Sequence, residues 1–192
     1  PKPPAEFADV RLPISEVNVD LWRIYRNTYD DPLYYDRSPQ SRFNAPDASF
    51  GVCYLATDLH GAFIETFGRS LGTNLVTRRA LEERSAVRVV LLRTLRLVDL
   101  TGEGAAQLGV DARLSSGGDY KLPQMWSKAI FEHPDAVDGI IYRSRHDQAR
   151  SCVAVFDRSA DTLAVQRETT LASPKMRERL SRVLEHYQFA LG

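Results

Sequence analysis

Val137-Asp138-Gly139-Ile140-Ile141-Tyr142, Ser151-Cys152-Val153-Ala154-Val155-Phe156 and Thr162-Leu163-Ala164-Val165-Gln166 follow one another with turns between them. Each is a short, largely apolar run of strand length. Strands joined by turns rather than by helices pair antiparallel. Strict alternation of strand and helix is therefore absent, which argues against a doubly wound parallel sheet. An α+β domain with a mostly antiparallel sheet and flanking helices fits better.

Upstream, Val87 to Leu92 and Leu95 to Leu100 read as two more strands. Gly51 to Ala56 and the alternating Leu21-Trp22-Arg23-Ile24-Tyr25-Arg26 read as two others. Thr57 or Asp58 caps a helix over Leu59 to Phe67, and Gly68 stops it. Asn74 to Arg84, rich in Arg and Glu, reads as a second helix. Thr101-Gly102-Glu103-Gly104 opens a short turn or helix. Ser115-Ser116-Gly117-Gly118-Asp119 is the most flexible-looking stretch. A helix follows it from about Leu122 to His133, with Pro123 in its first turn. Ser173-Pro174 starts the last helix, with Met176, Leu180, Leu184, Tyr187 and Leu191 on one face for the core or a dimer contact. Residues 1–20, rich in Pro, read as an extended arm before a single domain over 21–192.

Composition narrows the function class. The chain has 192 residues, 43% hydrophobic and 26% charged, with formal net charge zero. That balance is globular and leaves no electrostatic footprint for nucleic acid. No apolar run approaches the roughly 20 residues a membrane helix needs, and the N-terminus lacks a signal-peptide pattern. Cys53 and Cys152 lie in apolar strands and read as free buried thiols, which favours a reducing cytoplasm. No CxxC or paired-His spacing suggests a metal.

Three stretches place polar groups beside apolar segments. Arg42, in Ser41-Arg42-Phe43-Asn44, follows a long loop and either lies on the surface or forks onto a phosphate. Glu65 follows Ala62-Phe63-Ile64 and lies off the apolar stripe Leu59, Phe63, Phe67. It is either a solvent-facing helix residue or a carboxylate at a functional opening. Ser144 ends the run Gly139 to Tyr142, where it can donate to a ribose or phosphate. His146 and Asp147 follow it too closely to make a triad. Arg23 reads as semi-buried and in need of a partner. Tyr54 shares a strand face with Val52, opposite Cys53 and Leu55, and either stacks on a ring or fills the core. Tyr120, Gln124 and Trp126 either line a pocket or simply fill space.

Taken in order, Trp22-Arg23-Ile24-Tyr25-Arg26, Ser41-Arg42-Phe43-Asn44, Val52 to Ala56, Ala62-Phe63-Ile64-Glu65 and Gly139-Ile140-Ile141-Tyr142-Arg143-Ser144-Arg145 resemble the RES domain family, named for its Arg, Glu and Ser. The resemblance covers about residues 20 to 160 and departs from the commoner Gly-Arg-Trp-Asn at Ser41 and Phe43. It implies a fold like that of ADP-ribosyltransferase toxins, and a toxin of a RES–Xre toxin–antitoxin pair. It implies NAD+ as substrate rather than cofactor, cleaved at the nicotinamide–ribose bond by water or phosphate, with ADP-ribose transfer to protein as the alternative. Carried over position by position, Arg42, Glu65 and Ser144 are the catalytic set, and Arg23, Tyr54, Arg42 and Ser144 bind substrate. It also implies an Xre-type protein antitoxin covering the site in the bacterial cytoplasm, with delivery into a target cell as the other route. A binding module that recognises a nucleotide or partner without catalysis is the remaining reading.

Overall fold

The computed structural model describes residues 1–68 and 73–192. In chain order these form β1 (Ile14–Val17), β2 (Leu21–Arg26), β3 (Val52–Ala56), α1 (Leu59–Phe67), β4 (Leu75–Val76), α2 (Arg78–Glu82), β5 (Arg84–Leu91), β6 (Leu95–Asp99), α3 (Gly102–Gln107), α4 (Arg113–Ser116), α5 (Lys121–Glu132), β7 (Gly139–Arg143), β8 (Ser151–Phe156), β9 (Leu163–Thr170), α6 (Arg177–His186) and β10 (Ala190–Leu191). Eight strands make one sheet in the order β1-β6-β7-β8-β3-β2-β5-β9. Its neighbours are antiparallel except β6 and β7, and α3, α4 and α5 form the crossover that a parallel pair requires. This is the α+β architecture expected from the strand succession at 137–166.

The sheet buries both faces, and the strand alternation sorts residues between them. Ile24, Val52, Ala56, Tyr142, Cys152 and Ala154 face the helices, where Phe43, Phe63 and Trp126 complete the larger core. Leu21, Tyr25, Cys53, Leu55, Val87, Val153 and Val155 face the other way. That second core is built from strand residues, and Val17 near one sheet edge meets it together with Leu163 from the other. A sheet whose two ends share one core must curl, as twisted sheets of this size do. Both cysteines are free and buried, and burial pushes the Cys53 thiol up to about 11.

Three local expectations need correction. Asn74 to Arg84 is not one helix. Leu75–Val76 pairs in parallel with Ala190–Leu191, Thr77 caps the five-residue α2, and Arg84 already belongs to β5. The i,i+4 pairs Arg78–Glu82 and Arg79–Glu83 give the segment its helical look, whereas the strand comes from a pairing more than a hundred residues away in sequence. Ser115 and Leu114 are buried in α4 rather than part of a loose stretch. At the C-terminus, Met176, Leu180 and Val183 are buried in the core, but Leu191 is 59% exposed. The chain turns at Gln188 (φ 53°) and enters β10, so Leu191 leaves the helix face.

The N-terminal residues lie against the domain. Phe7 is buried edge-on to Trp126, the Trp126 indole donates to Pro1 O at 2.9 Å, and β1 pairs with β6. No helix among the described residues is long and apolar enough to cross a membrane.

Candidate functional site

The register of four strands sets the site. Trp22, Ala56, Cys152 and Tyr142 lie side by side across β2, β3, β8 and β7 on the helix-facing side. The chain leaves β3 at Ala56 and enters α1 directly. Asp58 caps this helix by accepting from Gly61 N–H at 2.7 Å, and Gly68 closes it by donating to Ile64 O at 2.8 Å. Gly61, Glu65 and Gly68 are spaced four and three apart, so they share one face of the helix. The turn after β7, residues 144–150, lies on that face. A Cβ at Gly61 would stand 3.5 Å from Arg150 Cβ, and one at Gly68 would stand 3.2 Å from His146 Cγ. Gly68 leaves room for the turn that brings Ser144 to Glu65, whereas a side chain at Gly61 would crowd Ala56 Cβ at 3.0 Å and meet the turn only at ordinary contact distance.

Ser144 is fully buried, and its hydroxyl donates to Glu65 Oε1 at 2.5 Å. The backbone N–H groups of His146 and Asp147 donate to the same Oγ at 3.1 and 3.2 Å. With its proton on a carboxylate and its lone pairs taken, this hydroxyl is a poor nucleophile. Its geometry suits it to hold one oxygen of Glu65 and leave the other to act.

Arg42 approaches from the long loop between β2 and β3. Asn44, fully buried, organises that loop. Its amide donates to Asp36 Oδ2 at 2.7 Å and Ser38 O at 2.6 Å, and its Oδ1 accepts from the Tyr54 hydroxyl at 2.8 Å. The Phe43 N–H donates to Tyr54 Oη at 2.8 Å, and the Phe43 ring lies 4.9 Å from that of Tyr142. From α5, Ser127 Oγ donates to Phe43 O at 2.6 Å, and Gln124 Nε2 donates to Pro39 O at 2.8 Å and Ser41 O at 3.0 Å. Burial pushes the Asp36 carboxyl up, but hydrogen bonds from Ser38, Asn44 and Ser41 outweigh it and hold it below the ordinary value.

The loop fixed in this way presents Arg42 at 8% exposure. Its guanidinium makes one long bond, from Nη1 to Leu114 O at 3.4 Å, and lies 4.7 Å from the Tyr120 ring centre. Nη2 is buried with no hydrogen-bond partner. Burial lowers the Arg42 pKa and the nearby Arg145 adds to this, while Tyr120, Tyr142 and Glu65 oppose it. Arg42 therefore lies close enough to feel both Glu65 and Arg145. A buried donor without an acceptor is costly, and an anion reaching this point would satisfy it.

The structure brings Arg42, Tyr54, Glu65 and Ser144 to the helix-facing side of the sheet. It sends Arg23 to the other side, in line with Leu21 and Tyr25. There Arg23 Nη1 donates to Tyr34 O at 3.0 Å and touches Cys53 Sγ at 3.0 Å. The β2 residues on the site's side of the sheet are Trp22 and Ile24, so Arg23 is not brought together with Arg42. Tyr54 is tied through its hydroxyl to the Arg42 loop, and burial raises its pKa. Sequence reasoning left Asp36, Asn44, Ser127 and Arg145 without roles. Polar Gln124 and Ser127, three apart on an otherwise amphipathic helix, were the available signal for buried loop anchors. Among the described residues no His, Cys, Asp and Glu group could hold a metal ion.

The comparisons with known proteins bear on the family and the fold. The model of the RES domain matches residues 20–177. A probable toxin, y4kH of Sinorhizobium fredii (strain NBRC 101917 / NGR234), is 27% identical over 111 residues, 58% of this chain and 85% of the relative. A chain in the crystal structure of the M. tuberculosis MbcT–MbcA toxin–antitoxin complex superposes with a TM-score of 0.68 at 15% identity, covering 88% of this chain and 92% of the other. At that identity the match speaks for a shared fold. Because the family match spans most of the 192 residues, the chain belongs to the RES domain family.

Proposed function

We propose that this protein is the toxin of a toxin–antitoxin pair and that it cleaves the nicotinamide–ribose bond of NAD+. The observation that carries the reading is the pairing of a rigidly held carboxylate with a buried, under-used guanidinium. Glu65 is fixed by Ser144 at 2.5 Å, and Arg42 Nη2 has no protein partner.

In this reading Arg42, with Arg145 beside it, binds the pyrophosphate through charge-assisted bonds and fixes the dinucleotide. The free oxygen of Glu65 holds the nicotinamide-side ribose hydroxyls. The C–N bond breaks with its electron pair leaving on nicotinamide, which departs neutral. The positive charge that develops at the anomeric carbon is stabilised by Glu65. Water or phosphate then forms the new C–O bond, and an attacking water gives up a proton to solvent. Tyr54 acts through the loop, by keeping Asn44 and the Phe43 backbone in place.

The toxin–antitoxin half of the proposal rests on the two similar proteins, one described as a probable toxin and the other solved in a toxin–antitoxin complex. A protein antitoxin that covers the site around Arg42, of Xre type as the family resemblance implies, would restrain the enzyme. The test is to follow labelled NAD+ with purified protein, with and without phosphate. Release of nicotinamide with free ADP-ribose or its phosphate supports the proposal and names the acceptor. Label retained on protein would replace it with ADP-ribosyl transfer. No turnover by folded protein would contradict enzymatic NAD+ cleavage.

A further inference from the structure

The turn that carries Ser144 is held from outside as well as from α1. Ser144 N–H donates to Arg150 O at 2.9 Å, and Arg150 N–H donates to Asp147 O at 2.9 Å. The Arg150 guanidinium reaches three ways, to Asp58 Oδ2 at 2.8 Å, to Asp147 Oδ2 at 3.3 Å and to His186 Nε2 at 3.3 Å. The Tyr187 hydroxyl donates to Asp147 Oδ2 at 2.8 Å. Asp147 in turn donates its own N–H to Ser144 Oγ at 3.2 Å, and that oxygen donates to Glu65. An unbroken line of hydrogen bonds therefore runs from Tyr187 through Asp147 and Ser144 to Glu65.

Tyr187 comes from the end of α6, beyond residue 177 where the family match stops. Its ring has its own anchors, near-parallel to Phe63 with centroids 6.4 Å apart and edge-on to His60 and His186. The hydroxyl is thus an addition to a ring that would stay in place without it. Its bond to the Asp147 carboxylate joins those from Ala149 N–H at 2.9 Å and Arg150 Nε at 3.3 Å, and brings a contact from outside the turn to the residue whose N–H holds the serine.

We propose that Tyr187 is a positioning residue for the active site, acting through Asp147 and Ser144 on Glu65, and that the C-terminal segment completes the site in this way. Its kinetic consequence rests on the NAD+-cleaving reading, whereas its structural consequence does not.

Tyr187→Phe in the full chain tests both. Amide hydrogen exchange reads the order of residues 144–150 without any reaction, and nicotinamide release reads kcat and KM for NAD+. The expected result is faster exchange at His146 and Asp147 with the rest of the sheet unchanged. With it, kcat falls about tenfold and KM stays within about twofold, because a small misplacement of a reacting group lowers rate more than binding. Wild-type exchange in the turn overturns the proposal, as does a loosened turn with wild-type kcat. If the wild type itself releases no nicotinamide, the NAD+ reading fails by its own test. The exchange result then decides the positioning role alone, with faster exchange supporting it and unchanged exchange overturning it.

Discussion

Asp138 and Arg42 are both charged side chains less than a tenth exposed, yet their surroundings differ in kind. Asp138 is saturated. It accepts from Arg93 Nη1 and Nη2 at 2.8 and 2.6 Å, from Arg96 N–H at 2.7 Å and from Ser159 Oγ at 2.6 Å. Burial pushes its pKa up, and these bonds together pull it below the ordinary carboxylate value. Arg42 is left with one long bond, a nearby tyrosine ring and a buried nitrogen without a partner. The first arrangement ties β6, β7 and the segment after β8 together. The second leaves donor capacity that an added anion would satisfy. Saturation separates a buried charge that holds a fold from one that awaits a ligand.

The largest effect expected from breaking this contrast is on stability. Asp138→Ala leaves Arg96 N–H and Ser159 Oγ without their acceptor and should cost about 3 kcal/mol in denaturant unfolding, with turnover per folded molecule unchanged. Arg42→Met should do the reverse. The apolar chain fills the space and removes the unsatisfied nitrogen, so the melting temperature should hold or rise. kcat/KM for NAD+ should fall on the order of 10²-fold. A drop in stability like that of Asp138→Ala would place Arg42 with the structural charges.

Arg23 sharpens the comparison at a smaller scale. It faces the other core, so Arg23→Ala should leave KM for NAD+ within about twofold of wild type, as expected for a side chain outside the reaction geometry. A fall in kcat/KM matching that of Arg42→Met would mean that substrate spans both faces. The smallest effect concerns Asp36, whose carboxyl titrates below the ordinary 3.8 in the folded chain. A depressed carboxylate stabilises the fold fully above its unfolded value and less as pH falls through the folded one. The Arg42 loop should therefore keep its exchange protection down to about pH 4 and lose it at lower pH. Loss of protection near pH 6 would point to a histidine instead.

The parts of this molecule legible in sequence are those set by short-range chemistry. The strand succession at 137–166, a cap at Thr57 or Asp58, the Gly68 stop and the faces of Val52 to Leu55 all follow from neighbours in the chain. The turn at Ser173-Pro174 does too, although it opens a short 3₁₀ segment before α6. What sequence leaves open depends on distant partners. Leu21, Ile24 and Tyr25 are all buried, so β2 is apolar on both sides and alternation alone cannot say which side Arg23 takes. Glu65 lies off the apolar stripe of α1, as read from sequence. Its importance comes from the room Gly68 leaves and from a turn 79 residues later in sequence. Asn44 looks like any loop asparagine until its bonds to Asp36, Ser38 and Tyr54 are counted together.

The central claim is that Glu65, held by Ser144 beside Arg42, stabilises the departure of nicotinamide. Its most direct test is the rate of nicotinamide release from NAD+ by wild type and by Glu65→Gln, on samples with matching melting curves. The geometry predicts a loss of about 10²-fold or more in the variant with NAD+ binding retained. Equal rates in the two proteins would contradict it.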